Sequence, residues 1–212
     1  MPALVAVHVG FAVLAGAAYL VEPPARGWLV LLAVVAYGVA LPLVARAAGR
    51  ADWLRLWAVL APLSVLQVLP DWALVEVAGT LAFPDLGGPR VGDAVPLAMA
   101  GMWVPPLFVA LLAARGSAWR AAVAAVVVLG GAEVLAPVLG LWEPTGDLTE
   151  VAGVALYVLP AEALLGAAAC LVVVHARDLR ARLAGAAAVA LLYTGALVVG
   201  LLLLDRARLV VA

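Results

Sequence analysis

LPDWALVEVAGTLAFPDLGG, residues 69–88, is the stretch on which the fold turns. It starts in sequence apolar enough for a bilayer interior, yet carries Asp71 and Glu76 with no basic residue beside them. It ends in Phe83-Pro84-Asp85 and Gly87-Gly88, the vocabulary of a turn. Read as the outer half of a membrane helix emerging into a loop, it sets the frame for the segments on either side.

The composition requires that frame. The 212 residues are 68% hydrophobic and 12% charged, with a mean hydropathy of +1.21. A soluble domain typically carries about 25% charged residues to make its surface. Lipid must therefore be the solvent for most of this chain. A net charge of −1 offers no basic field to nucleic acid. Cys170, the single cysteine, cannot form an intrachain disulfide. Lys, Ile and Asn are absent. Without lysine there is no retinal Schiff base and no lysine nucleophile, which excludes a rhodopsin-like reading.

A membrane helix needs roughly 20 predominantly apolar residues. Seven segments qualify, at about 2–20, 28–46, 54–82, 96–114, 118–140, 153–174 and 183–204. The expected fold is all-α, a polytopic bundle of seven transmembrane helices forming one domain over residues 1–212. The first segment lacks a basic n-region and reads as an anchored helix rather than a signal peptide. Pro70 and the Pro105–Pro106 pair should kink the third and fourth helices.

Arginines set the expected orientation. Arg46, Arg50 and Arg55, Arg115 and Arg120, and Arg177, Arg180 and Arg182 occupy three alternate connections, eight of the twelve arginines. The positive-inside rule puts those connections in the cytoplasm of a plasma-membrane protein, with the N-terminus beside them. Arg206 and Arg208 run against the rule. The Gly/Pro-rich, acidic connections 83–96 and 141–153 then face outward. Each follows a helix bearing an acid near its outer end and leads into a returning helix. This resembles a duplicated two-helix unit, although the residue spacing differs.

Threaded through this topology, Asp71, Glu76, Glu133 and Glu162 come from three helices to a similar depth. An acid at a helix centre costs roughly 2.5–3.5 kcal/mol to insert. Arg55, on helix three, lies at the end opposite its acids. A carboxyl without water or a cation favours its protonated form, which suits it to donate a proton. Ser64, Gln67 and Asp71 share a stripe at i, i+3 and i+7. Glu76 points elsewhere unless the Pro70 kink rotates it; the reading nevertheless favours Glu76 as the pocket acid.

Trp72, Trp103 and Tyr157 lie at comparable depth, with Tyr37 and Trp142 within reach. Aromatic faces stabilise a cation by roughly 0.5–2 kcal/mol each. Packing accounts for Trp72 and Trp103 equally well, and Trp28, Trp53 and Trp142 read most simply as an interfacial belt. His8, alone on its helix, reads as a hydrogen-bonded packing residue. His175 beside the arginines reads as a loop residue. No metal motif, Asp-rich diphosphate motif, Walker A, GxSxG or GxGxxG pattern is present, so no cofactor is expected.

The run from Glu76 through Phe83-Pro84, Gly87, Gly92 and Val95-Pro96-Leu97 to Trp103 resembles the carotenoid hydratases of the bacterioruberin pathway. Gly153-Val154-Ala155-Leu156-Tyr157-Val158-Leu159-Pro160-Ala161-Glu162 looks like their second returning helix. Its Pro-x-Glu is similar to the Pro-Glu-Glu of the small heterodimeric lycopene cyclases. The Trp72-to-Glu76 region with Phe83-Pro84 resembles seven-helix membrane terpene cyclases. Asp85-Leu86-Gly87-Gly88-Pro89-Arg90 replaces the hydratases' aromatic-rich loop, and one Glu follows Pro160, which fits a sister family.

The resulting expectation is a membrane enzyme that protonates an isoprenoid lipid, giving cyclisation or hydration through a carbocation. Glu76 and Glu162 would be acid or base, with Asp71 and Glu133 as partners. Trp72, Trp103, Tyr157, Phe83 and Tyr37 would line the substrate cavity. The partners are a hydrophobic isoprenoid and the bilayer, with oligomeric state left open. Two other readings stand beside it. A proton-coupled transporter would have a wet path to both faces, and a non-catalytic accessory protein would scatter its acids over separate surfaces.

Overall fold

The structure is a computed structural model that describes residues 2–205; Arg206 and Arg208 lie outside the described residues. Its helices are α1 Pro2–Ala18, α2 Ala25–Ala47, α3 Ala51–Leu66, α4 Val68–Ala73, α5 Met99–Met102, α6 Val104–Ala114, α7 Ala118–Leu139, α8 Val158–His175 and α9 Leu179–Leu204. A π-helical turn, Leu74–Ala78, continues α4. Five rods are long and apolar enough to cross a bilayer: Ala25–Ala47, Ala51–Ala78, Ala118–Leu139, Val158–His175 and Leu179–Leu204. Pro2–Ala18 and Met99–Ala114 are apolar but shorter. The protein is an all-α integral membrane protein with several spanning helices. Its outer faces are apolar, with Leu32, Val138 and Leu191 among the side chains left for lipid.

Proline decides where the rods break. Pro70 has no amide hydrogen to give the Leu66 carbonyl, and its ring crowds that carbonyl. Helix α3 accordingly stops at Leu66, turns at Gln67 and restarts as α4. The fourth expected span breaks likewise at Trp103, ahead of Pro105 and Pro106. Pro160 sits in the first turn of α8, where a missing amide hydrogen costs nothing. Helices α7 and α9 start on side-chain caps: Ser117 Oγ accepts from the Arg120 amide at 3.4 Å, and Asp178 Oδ1 from the Ala181 amide at 2.8 Å.

The two long connections, expected as loops, hold short β-ladders. They form β1 Leu81–Ala82, β2 Arg90–Val91, β3 Val95–Pro96, β4 Glu143–Pro144, β5 Glu150–Val151 and β6 Val154–Ala155. Strands β2–β3 and β5–β6 are hairpins. The second turns on Ala152 and Gly153, both at positive φ (55° and 79°), as a two-residue turn of this hand requires. β1 pairs antiparallel with β4, Leu81 opposite Pro144 and Ala82 opposite Glu143, as a two-fold axis would relate like strands.

A repeat follows from this pairing. Unit one runs outgoing helix, β1, hairpin, returning helix over α4 to α6, and unit two repeats that order over α7 to α8. Asp71 precedes Leu81 by as many residues as Glu133 precedes Glu143. Trp103 follows Val95 by as many residues as Glu162 follows Val154. Each hairpin is closed by one further backbone bond just ahead of its returning helix, Leu97 N–H to Pro89 O at 2.9 Å and Leu156 N–H to Thr149 O at 2.8 Å.

The hairpins mark one end of the bundle. The first turn of α2 joins it through the Gly27 amide on Leu86 O at 2.7 Å, where Gly87 (φ 79°) passes so close to Pro24 that a Cβ would collide with its backbone. The end of α9 joins through Asp205 Oδ1, which accepts from the Thr149 amide at 2.8 Å. The guanidinium of Arg90 clamps the first connection, donating to the carbonyls of Ala94 (2.6 Å), Asp93 (2.8 Å), Phe83 (3.2 Å) and Pro84 (3.4 Å). At the opposite, arginine end the helices close tightly. Gly166 of α8 lies against Ala121 and Ala125 of α7, and α8 packs on α9. Arg50 pairs there with Asp52 and lies 4.2 Å from the Trp53 ring centroid.

Candidate functional site: three acids in one apolar cavity

The half of the bundle nearest the hairpins encloses a cavity of about 390 Å³. Its size is within the roughly 300–1,000 Å³ usual for small-molecule sites. Helices α1, α4, α6, α7, α8 and α9 all contribute to its wall. Asp71, Glu133 and Glu162 are its acids, one from each of α4, α7 and α8. Phe83, Trp103, Tyr157 and Tyr193 supply aromatic surface, and most of the remaining wall is aliphatic.

The three acids are held differently. Asp71 is 4% exposed, and its Oδ2 accepts from the Trp103 indole N–H at 3.4 Å. Glu133 Oε2 accepts from the Trp142 indole N–H at 2.9 Å. Glu162 is fully buried, and neither of its oxygens finds a partner among the described residues. Burying a polar group without a hydrogen bond costs roughly 2–7 kcal/mol. Glu162 is therefore the group of the three that a ligand would satisfy best.

Tyr193, from α9, lies within electrostatic reach of all three acids and of Tyr157, and its ring meets Trp103 edge-on at 5.7 Å. The hydroxyls of Tyr157 and Thr80 are 3.0 Å apart. On the α1 side, His8 Nδ1 lies 3.0 Å from Leu4 O and its Nε2 lies 3.0 Å from the Tyr37 hydroxyl. A carbonyl only accepts, so Nδ1 carries a hydrogen toward Leu4, and the Tyr37 hydroxyl is the partner of Nε2.

This geometry corrects part of the sequence reading. Glu76 is exposed and outside the cavity, and Asp71 faces it instead. Five residues along a helix turn a side chain by about 140° from its starting direction. Neither the break before Pro70 nor the π-turn brings Glu76 back. Trp72, 40% exposed, is outside as well and reaches toward Gly92 of the first hairpin. Tyr37 is buried one layer out, behind His8. Asp71, Glu133, Glu162, Trp103, Tyr157 and Phe83 do come together around one space.

His8, Phe11, Thr80, Trp142 and Tyr193 also line it. The sequence reads His8 as packing, places Trp142 within reach of the site while favouring the belt, and gives Tyr193 no role. A tyrosine in mid-span needs somewhere for its hydroxyl, and that was the available signal. Ser64 on α3 and Gln67 at the turn after it are buried outside the cavity wall, with side-chain polar atoms that find no partner among the described residues. Among the described residues, no three His, Cys, Asp or Glu side chains are gathered closely enough to hold a metal ion.

Residues 68–204 match the family described as Domain of unknown function (DUF6989). The chain belongs to this family. The matched region starts at the first residue of α4 and takes in both units and all three cavity acids, while His8 and Phe11 lie outside it. No curated protein and no solved structure matches the chain.

Proposed function

We propose that this member of the DUF6989 family is a membrane enzyme that protonates an isoprenoid lipid and carries the resulting carbocation to a cyclised or hydrated product. The observation that carries the proposal is the convergence of Asp71, Glu133 and Glu162 on one otherwise apolar cavity, with Glu162 unpartnered. In this reading all seven apolar rods span the plasma membrane. The N-terminus and arginine connections are cytoplasmic, and the hairpins external.

The Glu162 carboxyl gives its proton to one carbon of a double bond. The π electrons form the new C–H bond, the neighbouring carbon becomes cationic, and Glu162 becomes a carboxylate. Trp103, Tyr157 and Tyr193 offer π faces to that cation. In cyclisation a second double bond attacks it, and a C–H proton is then lost to a carboxylate, so the net change is isomerisation. In hydration water adds and releases the proton. Asp71 and Glu133, each fixed by an indole, are the partners that accept and return protons. The closely packed arginine end supports a closed cavity over a transport path, and the shared cavity supports chemistry over an accessory role.

Purified protein in lipid vesicles, given linear isoprenoids of graded length, should convert one of them to a product of equal mass or one water heavier. Glu162→Gln should abolish conversion. Full conversion by Glu162→Gln would remove this acid from the reaction.

A further inference from the structure

The cavity wall is not sealed toward the side of the bundle. Val109 of α6 and Leu135 and Leu139 of α7 line the cavity, yet are 41%, 57% and 42% exposed. Helix α7 packs on α6 and α8, while α1 packs along α2 and touches α6 through His8 and Phe108, whose rings are 5.9 Å apart. The exposed cavity residues therefore face the flank between α1 and α7, with α6 as its floor. That flank belongs to apolar helices, and α7 is itself one of the five long spans. Its surroundings are hydrocarbon.

The wall's charge limits what can enter. Among the described residues no arginine lines the cavity, and the chain has no lysine. With neither residue in its wall, the cavity offers no guanidinium or ammonium to pair with a phosphate or diphosphate.

We infer that an uncharged lipid, an apolar chain ending in a double bond or hydroxyl, reaches the three acids sideways from the bilayer through the flank between α1 and α7. This rests on the proposed function for the identity of the ligand, but access can be read without turnover. The rim side chains are gate residues: Val109, Leu135 and Leu139 set what passes.

The experiment uses the full chain in phosphatidylcholine vesicles with a diazirine-bearing farnesol, its diphosphate, or a diazirine-bearing phosphatidylcholine. Adducts are mapped by mass spectrometry after irradiation. Farnesol adducts are expected on Leu129, Ala132 or Met102 of the cavity wall. Leu135→Trp and Leu139→Trp should each cut them by about tenfold. Val138→Trp, at an 82% exposed position on the same helix that does not line the cavity, should leave them unchanged. Equal labelling by the diphosphate would overturn the inference, as would cavity labelling by the phosphatidylcholine alone or adducts indifferent to both rim variants. Cavity labelling without any conversion would keep the portal and defeat the proposed chemistry instead.

Discussion

The two repeated units use the same frame for different ends. In unit one the outgoing helix brings Asp71 and the returning helix brings Trp103, which satisfies it. In unit two the outgoing helix brings Glu133 and the returning helix brings Glu162, while the indole on Glu133 comes from Trp142 in the connection. A residue that calms an acid at one position is replaced by a second acid at its counterpart. Unit one also breaks its outgoing helix before Pro70, whereas α7 runs unbroken to Leu139. Near-symmetry thus places four side chains around one space, and departure from symmetry leaves one carboxyl without a partner. That unpartnered carboxyl, Glu162, belongs to the second unit.

The largest expected effect breaks that asymmetry. Glu162→Gln keeps the shape but removes the acid, and conversion of a linear isoprenoid should fall by about a hundredfold or more, as for loss of a general acid. Asp71→Asn, its partner across the cavity, should cost less, because that carboxyl already accepts from an indole. An equal loss in both variants would show that the two units share the proton-donating role.

A second test addresses the close packing of α7 on α8 within unit two. Gly166→Leu places a side chain against Ala121 and Ala125 of the neighbouring helix, where even a Cβ is too close. Overpacking of this kind should cost about 1–3 kcal/mol, read as a lowered unfolding midpoint in detergent. No shift would mean that α7 and α8 can separate at this end.

Smaller effects sharpen the comparison of the indoles. Trp103→Phe and Trp142→Phe each keep a ring and remove one hydrogen-bond donor, worth about 1 kcal/mol. Turnover should drop by about fivefold in each, and a large excess in one would identify the acid whose orientation matters more. Glu76→Gln should do least, within about 0.5 kcal/mol in stability and with conversion unchanged, because the side chain is exposed. Loss of activity there would return Glu76 to the mechanism.

Hydropathy was enough to find the rods: segments expected at 28–46, 118–140 and 183–204 appear as Ala25–Ala47, Ala118–Leu139 and Leu179–Leu204. Pro70 and Pro105–Pro106 announced the two breaks. The β-ladders were not legible, because two-residue strands leave no periodicity in sequence, and β1 is defined by a partner far along the chain. The repeat was faint for the same reason, its register becoming visible once β1 met β4. Glu76 misled because depth in a span can be counted from the sequence, whereas the direction of a side chain depends on helix phase through a break and a π-turn.

Composition, proline placement and the depth of the acids were thus fixed by the chain itself, since each follows from transfer free energy and local backbone sterics. Tertiary structure decided which acids share a space, which indoles quiet two of them and which side of the bundle stays open. Those outcomes depend on how distant helices meet, and only packing determines that.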